Sequence, residues 1–349
     1  MKALFLAGGQ GTRLRPLTNQ LPKPMVPIMG KPLLERNILK LKNSDIGLEE
    51  IVISTCYKPQ KIESYFGNGQ RYDLEIRYVW EKTPRGTGGA IKNTEDFFDT
   101  TFLIFNADIL SDIDYRDLLK YHQEKAAHVT TAVTSVENPS MYGVVEFDAD
   151  GYALSFREKP KPQQITSNYI NAGVYVFEPE VLKEIAPNRE VSVEKEVFPL
   201  LLQKGYRVAV YKYSSYWLDI GTPKKYYQAH EDIFKGKYPI AEVSFSKQNI
   251  YEEQNVYIHT SARIRGPVYI GNDVTIGANS LIGPNVVIGE NSKIGESCKI
   301  SNSVIWDEVS VGNGAILTGT IIVSGSRINS KEKYTNLIYT EDSSLQLAV

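Results

Sequence analysis

Up to about residue 236, short apolar runs alternate with amphipathic stretches. Residues 3–7, 51–55, 76–79 and 102–106 have the length and composition of buried strands. Between them, 33–42, 59–66, 89–97 and 115–125 carry apolar side chains at helical spacing, which predicts helices. This alternation predicts an α/β domain: a Rossmann-like mixed sheet, largely parallel and sandwiched by helices, with ligands at the carboxyl ends of its strands.

From Val256 the period changes. Isoleucine recurs every six residues from Ile258 through Ile264 and Ile270 to Ile300, and two positions before each stands a small or β-branched residue such as Val268, Ser280 or Cys298. Positions two apart face the same side of a strand, so each pair points inward. Gly271, Gly277, Gly283, Gly289 and Gly295 are expected to permit the turn after each isoleucine. The pattern slips by one residue at 301–304 and resumes at Ile305, Val311, Leu317 and Val323. Such a hexapeptide repeat predicts a left-handed parallel β-helix with three strands per turn, and roughly four turns fit between 256 and 327. The expected organisation is a catalytic domain over 1–236, a linker over 237–254, the β-helix over 255–328 and a tail over 329–349 that caps the coil or lies disordered.

A chain of 349 residues with 42% hydrophobic content is long enough for two cored domains. Its 39 Lys and Arg nearly balance 41 Asp and Glu, so no global field favours nucleic acid, and any phosphate recognition must be local. No apolar stretch approaches the roughly 20 residues of a membrane span, and the first residues run straight into a strand-like segment, so no secretory signal is expected. Cys56 and Cys298 stand far apart, which argues against a disulfide framework or a cysteine metal site and fits a cytoplasmic compartment.

The densest chemical signal follows the first strand: Ala7-Gly8-Gly9-Gln10-Gly11-Thr12-Arg13, then Leu21-Pro22-Lys23-Pro24-Met25. Glycines at 8, 9 and 11 let backbone N–H groups approach phosphate oxygens, and Arg13 and Lys23 supply charge for a transition state. The string matches neither the dinucleotide fingerprint nor the lysine-bearing nucleotide loop. Asp108 follows the 102–106 strand, and Asp219 lies in Trp217-Leu218-Asp219-Ile220-Gly221. Read alone, each is a cap or turn residue. Asp112 and Asp114 read as the solvated start of the next helix, with Asp114 capping. Glu158 and Lys159 read alone as an exposed ion pair. Ser192 reads as a helix cap, with Lys195 and Glu196 on a solvated face.

Together these strings closely resemble the sugar-1-phosphate nucleotidyltransferases, also called nucleoside-diphosphate-sugar pyrophosphorylases. The residue 191–199 string resembles their mannose-1-phosphate guanylyltransferase branch. The resemblance implies attack of a sugar-1-phosphate oxygen on the α-phosphorus of a nucleoside triphosphate, with release of pyrophosphate. It implies catalytic roles for Arg13 and Lys23, and Mg²⁺ held by Asp108 and Asp219. Nucleotide binding falls to Ala7, Gly8, Gly9, Gly11, Thr12, Glu81, Gly86 and Thr87. Sugar-phosphate binding falls to Gly143, Glu158, Lys159 and Asn171.

A Glu81 carboxylate can accept from both N1–H and N2–H₂ of guanine, whereas uracil offers one ring donor, which leans towards GTP; the resemblance of the 191–199 string implies mannose 1-phosphate, so GDP-mannose is the leading expected product. Glu81 reads equally as an exposed strand-end charge, and Arg15-Pro16 and Gly88-Gly89 also fit uridylyl, thymidylyl and heptose-specific branches. Two other classes stand beside this one. A hexapeptide-repeat acyltransferase would have to work through His259, with no long loop for an acyl donor. A non-catalytic subunit binding nucleotide sugars would be expected to lack some of Arg13, Lys23, Asp108 and Asp219, and all four are present. The β-helix is expected to build a homo-oligomer, so truncation near 240 is expected to reduce assembly size while sparing much of the chemistry.

Overall fold

A computed structural model of the chain describes residues 1–340 and 343–347. The chain divides into two compact units. One comprises Met1–Gln10, Leu21–Met25 and Asn37–Asp219; the other comprises Gly11–Gln20, Val26–Arg36 and Ile220–Val349. The spatial division therefore differs from a single cut at residue 236.

The first unit is built on a nine-stranded mixed sheet. Lys2–Leu6 lies centrally, parallel to Glu50–Thr55 on one side and Phe102–Asn106 on the other, and Glu75–Trp80 extends the parallel set beyond Glu50–Thr55. Tyr169–Phe177 joins Phe102–Asn106 antiparallel and carries the sheet into its mixed half. Leu4, Val52, Ile104, Tyr175, Phe177 and Phe198 belong to one buried core. Each such side chain contributes about 1.5–3 kcal/mol on full burial.

The helices form close to the predicted spans, at Leu33–Lys42, Pro59–Phe66 and Tyr115–Glu124. Asp114 caps the last of these, its side chain accepting from Arg116 N–H and Asp117 N–H. Asp112 is not simply solvated, since its carboxylate pairs with Lys40. The helix expected over 89–97 instead spans Gly86–Lys92, and a separate 3₁₀ turn covers Glu95–Phe97. The Thr94 hydroxyl donates to the Ile91 carbonyl at 2.8 Å between these two elements, offering the backbone an alternative to helix continuation.

The second unit contains a three-sided parallel β-helix. One sheet carries seven strands and the other two carry five each, so five full turns run from Ile250–Glu252 to Lys333–Thr335. Four turns were expected because the terminal rungs use aromatic and charged residues that hide the period. Val268 pairs with Val286, eighteen positions on, whereas Val286 pairs with Ser303, seventeen on; this is the slip seen in sequence. Inward Val268, Ile270, Ile276, Ile282 and Ile288 are fully buried. The inward Ser280 is satisfied between rungs: its Oγ donates to the Gly295 carbonyl at 2.8 Å and accepts from Cys298 N–H at 3.0 Å.

The coil corrects the reading of its glycines. Of the five, only Gly283 has positive φ; the left-handed positions belong to residues such as Asp273, Asn279, Asn285 and Asn291, whose short polar side chains tolerate that conformation. A Cβ on Gly277 would lie 2.7 Å from the Gly295 carbonyl carbon, and one on Gly271 2.9 Å from Glu290 N. Close stacking of rungs therefore demands glycine at these positions.

Beyond the coil, Leu337–Thr340 pairs antiparallel with Ser343–Gln346. Residues 341, 342, 348 and 349 of the expected tail lie outside the described residues.

Candidate active site

The parallel strands of the first unit set four chain ends side by side. Leu6 is in register with both Ser54 and Asn106, and Thr55 with Trp80, so the residues that follow gather at one edge of the sheet. A cavity of about 300 Å³ opens there, lined among others by Ala7, Gly8, Gly9, Lys23, Glu81 and Asp108. Gly86 and Thr87, at the start of the Gly86–Lys92 helix, complete its wall.

Lys23 lies in a 3₁₀ turn, Lys23–Met25, and is buried. Its Nζ contacts Asp108 Oδ2 and lies 3.4 Å from Asp219 Oδ1. Burial opposes its charge, but the two carboxylates outweigh that cost and hold the ammonium above its ordinary range. Asp108 and Asp219 thus converge on a shared cation position. Two hard carboxylates around one cation suit Mg²⁺, which binds through one or two protein carboxylates, waters and substrate phosphates. No group of three or more His, Cys, Asp or Glu able to hold a metal occurs among the described residues, so oxygen donors from substrate would have to complete such a shell.

Glu81 is 7% exposed, which rules out the reading of a solvated strand-end charge. Its Oε1 accepts from Ser54 Oγ at 2.8 Å and its Oε2 from Arg85 N–H at 3.0 Å. Those bonds take one acceptor position on each oxygen and leave one on each. The carboxylate is thus fixed before any ligand arrives.

A second group lies in the mixed half of the sheet. A Cβ placed on Gly143 would lie 3.0 Å from Glu158 Oε2 and 3.7 Å from Asn171 Cβ, so these three predicted residues are neighbours. Lys159 Nζ lies 3.3 Å from Glu158 Oε1. Lys159 also adopts φ +47° immediately before Pro160, where the following ring disfavours anything but extended backbone. Such a conformation costs on the order of 1–3 kcal/mol and needs surrounding structure to hold it.

Gly11, Thr12 and Arg13 fall in the second unit. Gly11 has φ +63° and precedes the 3₁₀ turn Thr12–Leu14, on which Arg13 is exposed. The Thr18 hydroxyl donates to the Gly11 carbonyl at 2.8 Å and ties the loop to itself.

Sequence reasoning missed Ser54, Tyr175 and Glu194. Ser54 and Tyr175 sit in ordinary apolar strand sequence with nothing to mark them. Glu194 stood in the quoted 191–199 string, but the helix expected there is a π-helix over Val193–Val197, so a 3.6-residue period misjudges its surroundings.

Residues 2–236 match the family model described as nucleotidyl transferase, and residues 247–337 match that of the EIF2B subunit epsilon LbH (left-handed β-helix) domain. The chain is 41% identical over 239 residues to the mannose-1-phosphate guanylyltransferase of Mycobacterium tuberculosis, covering 68% of this chain and 66% of that protein. It is 37% identical over 243 residues to the UTP–glucose-1-phosphate uridylyltransferase of Synechocystis, covering 66% and 62% respectively. Among solved structures, HddC from Yersinia pseudotuberculosis complexed with GMP-PN aligns with a TM-score of 0.57 at 28% identity, covering 66% of this chain and 99% of that one.

Proposed function

Because the chain belongs to the nucleotidyl transferase family, we propose that it transfers a nucleotidyl group from a nucleoside triphosphate to a sugar 1-phosphate, releasing pyrophosphate, with GTP and mannose 1-phosphate as substrates and GDP-mannose as product. The observation that carries this reading is one cavity lined by Gly8, Gly9, Lys23, Asp108 and a buried, pre-oriented Glu81, with Asp219 beside the same Lys23 ammonium. The likeness to the mycobacterial guanylyltransferase supports the choice of base and sugar.

In this reading Ala7, Gly8 and Gly9 present backbone to the triphosphate, and Glu81 accepts from the guanine edge through its remaining acceptor positions. Gly86 and Thr87 border the nucleotide. Lys23 neutralises charge growing on the α-phosphate oxygens, and Arg13 stabilises the triphosphate transition state. Asp108 and Asp219 would hold Mg²⁺, which would supply positive charge to the phosphate groups. Gly143 and Glu158 face the sugar hydroxyls, Lys159 and Asn171 the sugar phosphate and ring. No protein base is required, because the attacking phosphate oxygen is already anionic. We further propose a homo-oligomer built through the β-helix and a cytoplasmic site of action. Among the described residues no helix is long and apolar enough to cross a membrane.

The test is a pyrophosphate-release screen of purified protein with GTP, UTP, dTTP, ATP and CTP crossed with mannose, glucose and heptose 1-phosphates. GTP with mannose 1-phosphate is expected to give the highest kcat/KM. A maximum with UTP and glucose 1-phosphate would instead align the chain with its uridylyltransferase relative. Turnover of none of the pairs would remove the enzymatic reading.

A further inference from the structure

Between the proposed nucleotide and sugar sides stands a carboxylate with no role in that scheme. The Glu194 Oε1 accepts from Asn171 Nδ2 and from Tyr175 Oη, both at 3.2 Å. Its Oε2 accepts from Thr87 Oγ1 at 3.3 Å and Ser192 Oγ at 3.0 Å. A carboxylate offers about four acceptor positions, and four protein donors fill them. The donor assignments are consistent, since Thr87 Oγ1 accepts from Val193 N–H and Ser192 Oγ from Lys195 N–H, leaving each hydroxyl proton for Glu194. Glu194 also borders the sugar side, its Cγ lying 3.9 Å from where a Gly143 Cβ would stand.

We infer that Glu194 is a positioning residue that locks the sugar subsite, tying Asn171 and Tyr175 to Thr87 at the start of the Gly86–Lys92 helix without itself touching substrate. This rests on the reading of Gly143, Glu158 and Asn171 as the sugar side. The two halves of the carboxylate differ in what their loss would do. Tyr175 is 1% exposed, so its hydroxyl has no water to turn to when Oε1 is removed. Thr87 is half-buried and keeps its bond from Val193, so solvent can replace Oε2 there. The sugar side should therefore suffer more than the nucleotide side.

The experiment measures pyrophosphate release by wild type, Glu194→Ala, Glu194→Gln and Tyr175→Phe, using the nucleotide and sugar 1-phosphate that the wild type prefers. Glu194→Ala is expected to raise KM for the sugar 1-phosphate about tenfold and KM for the nucleotide less than threefold. Glu194→Gln should stay within about threefold of wild type, because its amide oxygen can serve Asn171 and Tyr175 while the Thr87 and Ser192 hydroxyls rotate to accept from its N–H groups. Tyr175→Phe, which keeps the ring, should raise the sugar KM about threefold and supplies the answer if Glu194→Ala fails to fold.

A panel of monodeoxy sugar 1-phosphates separates positioning from contact. A positioning residue loses the same factor on every analogue, whereas a penalty that vanishes for one analogue would mark a direct hydrogen bond and overturn the inference. An unchanged sugar KM in the folded variants, or Glu194→Gln as defective as Glu194→Ala, would also overturn it. A wild type with no turnover sinks the functional reading and this inference together, while an active wild type with unaltered variants sinks the inference alone.

Discussion

Lys23 is the residue on which the proposed chemistry turns, because its ammonium is buried against two carboxylates and has little freedom to reorganise. A charge fixed in advance is worth about 3 kcal/mol at an oxygen that becomes more negative in the transition state. Lys23→Ala should therefore lower kcat on the order of 100-fold while changing nucleotide Kd far less, and Arg13→Ala should move in the same direction. Calorimetric binding beside pyrophosphate release checks both, and near wild-type turnover would strip the altered residue of its role. Glu81→Gln probes the base. Arg85 N–H can only donate, so the amide oxygen must face it and the NH₂ must face Ser54, whose hydroxyl can rotate to accept. Shape survives and one acceptor edge is lost, so preference for GTP over UTP should drop by about 1–3 kcal/mol. Equal discrimination by the variant would remove Glu81 from base reading. Lys23, Asp108 and Asp219, which the structure brings together, were legible because each lies in a contiguous string. Glu194 and Tyr175 were not, because their part in the site is a hydrogen-bond network joining Thr87, Asn171 and Glu194 across more than a hundred positions of chain.

At the scale of elements, the hydrophobic pattern located four of the nine sheet strands to within a residue and left the other five unmarked. It carries no information about φ or about how closely neighbouring backbones approach. That is why the coil glycines were legible as necessary but misread as turn residues. The stacking that demands them also crowds charges at one corner of the coil. Asp307, half-buried, accepts from Glu290 N–H at 3.0 Å. Burial and then the neighbouring charges of Glu290, Glu308 and Glu253 push its carboxyl up to about 7 from the ordinary 3.8. A carboxyl whose folded value is raised holds its proton longer in the native state, so its stabilisation is full below about pH 4 and is lost as pH rises through about 7. Asp307→Asn keeps an acceptor for Glu290 N–H and has no charge to bury. The Tm difference, variant minus wild type, should grow between pH 4 and pH 8 in a thermal melt series. A difference independent of pH would show that Asp307 titrates normally.

At the scale of the whole molecule, the division into compact units changes what the β-helix is expected to do. Gly11–Gln20, with Arg13, and Val26–Arg36 belong to the same unit as the coil. That unit is tied internally by buried polar bonds: Trp306 Nε1 donates to Tyr226 Oη at 2.8 Å, and Tyr226 Oη donates to the Pro27 carbonyl at 2.6 Å. Tyr227 Oη donates to the Asn302 carbonyl at 2.8 Å, and Arg36 Nη1 pairs with Glu242 at 3.4 Å. The hairpin turn at Gly30 lies against the Tyr269 ring, where a Cβ would come within 2.9 Å of Cε1. A cut near residue 240 would remove Trp306, Asn302, Glu242 and Tyr269 at once and bare Tyr226, which is fully buried. The expectation that such a truncation spares the chemistry is therefore revised: the fragment should fail to fold cooperatively and lose turnover along with assembly. Point variants grade the effect. Trp306→Phe removes one donor from a Tyr226 that keeps its bond to Pro27, and should cost about 1 kcal/mol. Trp306→Ala empties a buried indole site and should cost about 3–5 kcal/mol, with a matching fall in Tm. Calorimetry, light scattering and pyrophosphate release on the full chain, the two variants and the fragment decide the matter. A soluble fragment melting cooperatively with wild-type kcat would mean that the coil is a separable assembly module after all, and that Gly11–Gln20 holds its conformation without it.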